Sequence, residues 1–201
     1  MTRFYLVLGL LSWPILHVLF RLRARGLEHL PEGGFVISAN HTSNLDPWPL
    51  GLPLWPRRQL HFMGKIELFN PVLGPLLRAG GAFPVRRGRG DLEAIGTAVA
   101  LARAGRAVAI FPEGTRRAKG LRRKYEAKPH AGAARVALEA GVPLVPAAVA
   151  GSDRLSRLGP LRVVYGPPVP LEDLQGTDIR QASRIATERL MEEIERLHRS
   201  L

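Results

Sequence analysis

Short runs of strand-forming residues that alternate with helical patterns constrain the fold of this chain more than any other feature. Apolar and β-branched residues fill five such runs, at positions 34–39, 59–63, 107–111, 144–150 and 161–165. Between and after these runs, apolar residues recur at steps of three and four, which is the spacing of one helix face. This alternation predicts a layered α/β domain in which helices flank a central mixed β-sheet.

The predicted helices begin or end at residues suited to those places. One pattern spans 92–102 and stops before Gly105, and another spans 133–140 and stops at Gly141. Glycine adopts without strain the left-handed conformation that ends many helices. The last helix begins after Asp178, whose side chain is suited to cap it.

The first 22 residues differ from the rest of the chain, and residues 23–201 form a single predicted domain. Residues 4–20 carry no formal charge. As a helix they would reach about 26 Å, short of the roughly 30 Å needed to cross the hydrocarbon core. Pro14 would kink such a helix, and His17 adds a polar group. A single transmembrane crossing is therefore disfavoured.

Two interpretations of this segment stay open: a helix embedded in one leaflet, or a buried core helix. Tyr5 and Trp13 suit a membrane interface. The arginines that bracket the segment suit anionic headgroups on the cytoplasmic side, and they stand at positions 3, 21, 23 and 25. We therefore expect a membrane-associated N-terminal helix at the cytoplasmic face of the plasma (inner) membrane.

A strongly basic balance limits the kinds of partner. The chain has 29 Lys and Arg residues against 17 Asp and Glu, a formal charge of +12. An anionic partner is expected, and nucleic acid, an anionic membrane and a phosphorylated metabolite all fit, although charge runs are more often solvated surface. Because the chain has no cysteine, disulfides, cysteine nucleophiles and thiolate metal sites are excluded.

His41 and Asp46 are the first candidates for catalytic chemistry. They lie in the stretch 40–47, directly after the first predicted strand, where reactive groups gather in open α/β sheets. Asp46 precedes Pro47, so we expect it to cap a short helix. A carboxylate five residues after a histidine can fold back to hydrogen-bond it, as a general base requires. Taken alone, such a pair is more often structural.

Two further stretches carry groups suited to phosphate. In 111–116, Gly114 lets the backbone approach a ligand and Arg116 supplies a guanidinium fork. In 80–86, Arg86 offers a second fork. An ordinary turn and a surface arginine are the plain alternatives.

With a fourth stretch, 142–146, these blocks resemble in order the four sequence blocks of the glycerolipid acyltransferase family, which includes 1-acylglycerol-3-phosphate acyltransferases. The resemblance implies a glycerol-3-phosphate acyltransferase-like α/β domain at a membrane surface. It implies acyl transfer from acyl-CoA or acyl-[acyl-carrier protein] to the free hydroxyl of lysophosphatidic acid. The product would be phosphatidic acid, an intermediate of phospholipid biosynthesis.

The resemblance also implies roles for individual residues. His41 is implied as the general base and Asp46 as the residue that orients it, with no covalent acyl-enzyme, metal or cofactor. Pro146 is implied to shape the wall of the acyl site. The residues implied to bind substrate, most of them through the acceptor's glycerol phosphate, are Asn40, Lys65, Arg86, Glu113, Gly114, Thr115 and Arg116. Lys128 and His130 lie where the sequence departs from the family's usual pattern, which leaves their roles open.

Two other classes of function compete with this interpretation. A metal-dependent phosphohydrolase is disfavoured because paired-histidine and clustered-carboxylate spacings are missing. Its ligands would be His41, Asp46, Glu113 and His130. A basic protein that binds nucleic acid or an anionic membrane would use residues 116–128, where Tyr125 is the only aromatic residue available for stacking. The expected partners are therefore lysophosphatidic acid, the acyl donor and membrane lipids, and no nucleic acid.

Overall fold

A seven-stranded β-sheet forms the centre of the protein, whose computed structural model describes residues 1–86, 91–112 and 129–201. The strands are β1 (Arg23–Arg25), β2 (Phe35–Ala39), β3 (Leu60–Lys65), β4 (Ala82–Val85), β5 (Ala107–Ala109), β6 (Leu144–Ala150) and β7 (Arg162–Tyr165). The helices are α1 (Arg3–Pro14), α2 (Pro47–Gly51), α3 (Leu73–Ala79), α4 (Leu92–Arg103), α5 (Gly132–Ala140) and α6 (Ile179–Arg199). Helices flank a central sheet, as the alternation of patterns predicts.

The order of the strands brings five loops to one edge of the sheet. The strands are arranged as β1-β7-β6-β2-β5-β3-β4. Neighbours from β6 to β4 are parallel, whereas β7 is antiparallel to β6 and parallel to β1, so the sheet is mixed. The five parallel strands therefore end at the same edge, which we call the carboxyl edge. Functional groups of open α/β sheets gather at such an edge.

The central strands are buried on both faces. On one face, the α1 segment and α2 pack against alternate strand residues such as Phe35 and Ile37. On the other face, α4, α5 and α6 pack against the residues between them, such as Val36 and Leu144. Burial on both sides explains why β2, apart from Ser38, and β6 are apolar runs in the sequence.

All five predicted strands are present, with ends that differ by at most two residues, and the two edge strands lack a clear sequence signal. β1 reads Arg-Ala-Arg, and β4 contains Pro84, which an edge strand tolerates because one side of its backbone is unpaired. The predicted helices correspond to α4, α5 and α6. Gly105 and Gly141 follow α4 and α5 with positive φ angles of 77° and 66°, and Asp178 caps α6.

The N-terminal segment is helical, and its hydrogen-bonding pattern changes from α-helical to π-helical after Pro14. Pro14 is the last residue of α1, and a π-helical turn, Ile15–Leu19, continues the chain. Leu16 and Phe20 are buried in the core that the sheet forms with α2. The end of this segment is therefore an integral part of the domain.

The opposite side of the same segment is apolar and exposed. Leu10, Leu11 and Val18 are 62%, 63% and 73% exposed. One side of the segment is thus buried, as the interpretation as a core helix predicts, while the membrane interpretation stays a prediction. Across the three described ranges, no helix is long and apolar enough to cross a membrane.

Candidate active site

The loop that leaves β2 is anchored to β6 by the side chain of Asn40. Its Nδ2 donates to the Val149 carbonyl oxygen at 2.9 Å, and its Oδ1 accepts from the Val149 N–H at 2.8 Å. This pair of bonds continues the ladder between the two strands beyond the end of β2. Because both polar groups of the Asn40 amide are engaged, the structure places this residue in support of the loop.

His41 and Asp46 form the hydrogen bond that their spacing predicts. The His41 Nδ1 and the Asp46 Oδ2 are 2.8 Å apart, and the two residues are 6% and 0% exposed. A buried carboxylate accepts a hydrogen bond, so the proton of the neutral imidazole is assigned to Nδ1 and the lone pair to Nε2. In this tautomer, Nε2 is the atom able to take a proton from a substrate.

The Asp46 carboxylate is held from several sides. Oδ2 also accepts the backbone N–H groups of Thr42 at 2.8 Å and Ser43 at 2.9 Å, and Oδ1 accepts the Ser152 hydroxyl. The expectation that the Asp46 side chain caps α2 is wrong, although Pro47 does begin that helix. The carboxylate points back into its own loop, because the free N–H groups and the imidazole lie there.

Phe111 fixes the plane of the imidazole. The two rings stack with their centroids 4.3 Å apart and their planes at 22°. Phe111 follows β5, the neighbour of β2 on the side away from β6. His41 is thus oriented by a carboxylate at one nitrogen and by an aromatic face, as a base with a fixed direction of attack requires.

Two predicted phosphate-binding cations reach the same edge on neighbouring strands. Lys65 ends β3 and is paired in register with Val85, and Arg86 follows β4. Both residues are exposed. With strands about 4.8 Å apart, the ends of β3 and β4 lie roughly 10 and 14 Å across the sheet from β2.

The backbone at Arg86 is held by Asp91. The Arg86 N–H donates to Asp91 Oδ2 at 2.7 Å, and the Ala94 N–H donates to Oδ1 of the same carboxylate. These two hydrogen bonds lower the pKa of the Asp91 carboxyl.

Several predicted residues lie outside the described part of the chain: Glu113, Gly114, Thr115, Arg116 and Lys128. The residues on either side of the 113–128 stretch are close together, since the His130 N–H donates to the Pro112 carbonyl oxygen at 2.7 Å. Pro112 follows Phe111 at the carboxyl edge. The described residues Pro112 and His130 therefore lie together, next to the residue that stacks on His41.

An apolar cavity of about 440 Å³ lies on the α1 side of the sheet. Side chains of α1, α2, β3 and the loop before α2 line it, among them Tyr5, Leu8, Leu45, Trp48, Trp55 and Phe62. Pro146, the predicted wall of an acyl site, lies on the opposite face. A Cβ added to Gly166 would be 3.0 Å from both Pro146 Cγ and Leu197 Cδ1 of α6. Side chains alternate along β6, and the alternation turns Pro146 away from the cavity.

Sequence reasoning missed Ser152 and the contribution of α1 to the cavity. Ser152 is the second residue after β6, just as His41 is the second residue after β2. The strand-exit rule that singled out His41 applied equally to Ser152. The contribution of α1 carried no comparable signal, because an apolar helix has the same sequence pattern whether it lines a cavity or meets lipid.

In the described ranges, no group of three or more His, Asp or Glu side chains is placed to hold a metal ion.

Fold and site together define an α/β protein with a buried histidine–carboxylate pair at the carboxyl edge of its parallel strands. A family model described as Acyltransferase matches residues 21–150. A protein of Bacillus subtilis (strain 168), "1-acyl-sn-glycerol-3-phosphate acyltransferase", is 34% identical over 179 residues, which cover 87% of this chain and 86% of that protein. The chain belongs to the acyltransferase family.

Two more distant proteins are also similar to this chain. The Brassica napus chloroplastic "1-acyl-sn-glycerol-3-phosphate acyltransferase BAT2" is 29% identical over 75% of this chain, which spans only 45% of that protein. The crystal structure of the 1-acyl-sn-glycerophosphate (LPA) acyltransferase PlsC from Thermotoga maritima has a TM-score of 0.60 at 24% identity. The match covers 88% of this chain and 71% of that one, and it shows a shared fold.

Removal of the imidazole tests its predicted role as the base. We expect His41→Ala and His41→Gln to lower kcat for acyl transfer at least about 100-fold, since general bases commonly contribute that much or more. His198→Ala is the matched control, because His198 is an exposed residue of α6. Initial rates and thermal melting by circular dichroism would be measured together. Activity that survives in a folded His41 variant would disprove the assignment.

Proposed function

We propose that this chain transfers an acyl group from acyl-CoA or acyl-[acyl-carrier protein] to the free hydroxyl of 1-acylglycerol 3-phosphate, giving phosphatidic acid. The observation that carries the proposal is the buried His41–Asp46 hydrogen bond at the carboxyl edge, beside an apolar cavity. The 34% identity to the Bacillus subtilis protein supports the choice of acceptor.

The chemical step needs one base and no covalent intermediate. His41 Nε2 takes the proton of the acceptor hydroxyl while the hydroxyl oxygen bonds to the thioester carbonyl carbon. The carbonyl oxygen becomes an oxyanion, which N–H donors or a basic side chain would stabilise. When the tetrahedral species collapses, the carbon–sulfur bond breaks, and the imidazolium returns its proton to the leaving thiolate. The base is neutral again, and an ester and a thiol are formed.

The Asp46 carboxylate stabilises the imidazolium that exists between the two proton transfers. Its negative charge lies 2.8 Å from Nδ1 in a fully buried place, where charges interact more strongly than in water. We also propose that the dyad works without a metal. The oxygens of Asp46 accept three N–H groups and one hydroxyl, so the carboxylate serves the imidazole and its own loop.

Phosphate binding would hold the acceptor hydroxyl against the base. Lys65 and Arg86 are exposed at the carboxyl edge and roughly 10 to 14 Å from the end of β2. An acceptor phosphate between these cations and the dyad would place its glycerol hydroxyl toward His41. Glu113, Gly114, Thr115 and Arg116 are proposed to complete this site from the stretch that begins beside Phe111.

The apolar cavity is proposed to hold an acyl chain. Its lining is almost entirely apolar, and Leu45 and Pro47 of that lining belong to the chain segment that carries Asp46. An acyl chain in the cavity would therefore end close to the dyad. This assignment replaces the wall predicted at Pro146.

The exposed side of the α1 segment is proposed to rest on the cytoplasmic leaflet of the plasma membrane. Leu10, Leu11 and Val18 would enter the leaflet, while the arginines at positions 21, 23 and 25 would meet anionic headgroups. The two-tailed product and its one-tailed precursor both reside in lipid. A domain seated on the leaflet can exchange them without carrying them through water.

An acyl-transfer assay over several acceptors tests the proposed function. Purified protein would be given acyl-CoA or acyl-[acyl-carrier protein] with 1-acylglycerol 3-phosphate, glycerol 3-phosphate or 1-acylglycerophosphocholine. We expect product from 1-acylglycerol 3-phosphate, since it alone combines an acyl chain with a phosphate monoester. Transfer only to another acceptor would point to the alternative, an enzyme of the same family with a different substrate. Phosphate release that a chelator abolishes would favour a hydrolase.

Narrowing the cavity should change the preferred acyl length. Leu8→Trp places a large ring at a position that lines the cavity. We expect kcat/KM to fall more for long acyl donors than for short ones, since the longer chain needs the lost volume. Leu10→Trp is the matched control because it faces outward on the same helix. Equal effects of both variants on every donor would contradict the cavity assignment.

Charges on the exposed side of α1 should weaken membrane binding. Leu10→Glu combined with Leu11→Glu should lower co-sedimentation with vesicles that contain phosphatidylglycerol. Leu92→Glu is the control and should not lower it, because Leu92 is an exposed residue of α4. Point changes are preferred to removal of residues 1–20, which would also take Leu16 and Phe20 out of the core. Unchanged vesicle binding of the double variant would count against the membrane-facing role.

A further inference from the structure

Ser152 sits at the exit of β6 and reaches across to the catalytic loop. The residue is only 3% exposed, its hydroxyl donates to Asp46 Oδ1, and its oxygen lies 3.1 Å from Thr42 Oγ1. Gly151 makes this approach possible. Its φ is +90°, and a Cβ there would lie 2.3 Å from the Pro160 carbonyl oxygen. A side chain at position 151 would therefore displace the turn that directs Ser152 toward Asp46.

Counting protons gives the hydrogen bonds a direction. The Ser152 hydroxyl has one proton, which it donates to the carboxylate. Its bond to Thr42 must therefore be one that Ser152 accepts, with the Thr42 hydroxyl as donor. Thr42 thus donates to Ser152, and Ser152 donates to Oδ1 of Asp46. His41 donates to the other oxygen, Oδ2.

The two oxygens of Asp46 are satisfied very differently. Oδ2 accepts three N–H groups, whereas in the described part of the chain Oδ1 accepts only the Ser152 hydroxyl. The residue is 0% exposed, so no bulk water replaces a lost donor. A buried charged oxygen without a donor is strongly unfavourable. Without Ser152, the carboxylate would be expected to rotate out of the plane that serves His41.

β6 is fixed in the position that this contact requires. The two bonds between Asn40 and Val149 join β6 to the loop three residues before Ser152. The loop is thus held to β6 at both ends, through Asn40 at its start and through Asp46 at its end. Such a closed arrangement favours one orientation of the carboxylate over all others.

We propose that Ser152 is a positioning residue of the dyad: its hydroxyl holds the Asp46 carboxylate in one orientation, so that His41 keeps its proton on Nδ1 and Nε2 directed at the acceptor hydroxyl. The kinetic consequence rests on the proposed acyl transfer. The effect on the His41 imidazole does not, since it follows from the hydrogen bonds alone.

Kinetics of two variants and one control test the proposal. Ser152→Ala should lower kcat roughly 10- to 100-fold with KM for both substrates within about twofold, since substrate contacts are untouched. Ser152→Thr, which keeps the hydroxyl, should restore most of kcat. Ser156→Ala is the control, as Ser156 is exposed on the same 3₁₀ turn.

A measurement without turnover separates this proposal from the proposed function. The low-field proton resonance of His41 Nδ1–H should shift in Ser152→Ala and stay in place in Ser156→Ala and Ser152→Thr. A shift in a protein that acylates no acceptor would uphold the positioning role and overturn the function. An unshifted resonance in folded Ser152→Ala, or a loss of activity that comes from a raised KM with kcat unchanged, would overturn the positioning role.

Discussion

The buried carboxylate of Asp46 is the constraint around which this end of the protein is arranged. A charge that is fully removed from water is tolerated only when donors surround it. Here the donors are two backbone N–H groups, the His41 imidazole and the Ser152 hydroxyl. They come from the loop after β2 and from the exit of β6, so the positions of two strands and one loop are fixed by the needs of a single side chain.

The parallel part of the sheet turns this local arrangement into a site. Because β6, β2, β5, β3 and β4 end at one edge, each adds one group to the same surface. β6 brings Ser152, β2 brings His41, and β5 brings Phe111 against the imidazole. β3 and β4 bring Lys65 and Arg86. The reversed β7 plays a different part: its Tyr165 hydroxyl donates to the Leu50 carbonyl oxygen and anchors α2, the helix that follows Asp46.

The sequence predicts the parts of this structure that depend on local pattern. The central strands, the helices with glycine ends and the bond between His41 and Asp46 follow from apolar runs, turn residues and a five-residue spacing. The face of the sheet on which a given strand residue lies could not be predicted from these local patterns. Pro146 lies in a correctly predicted strand, yet which face it occupies is set by the register of β6 with β2. The expected capping of α2 by the Asp46 side chain was wrong, because the imidazole, two backbone N–H groups and the Ser152 hydroxyl all bind that carboxylate.

A substrate with an acyl chain at one end and a phosphate at the other matches the layout of the site. The apolar cavity lies under α1 and α2, whereas the cations stand at the open edge beyond β5. The dyad lies between them, since Leu45 and Pro47 of the cavity wall belong to the segment that carries Asp46. His41 thus lies between the polar and the apolar part of the site. A base in that position can reach a hydroxyl that lies between a phosphate and an acyl chain, and α1, which lines the cavity, also carries the exposed apolar side chains of the domain.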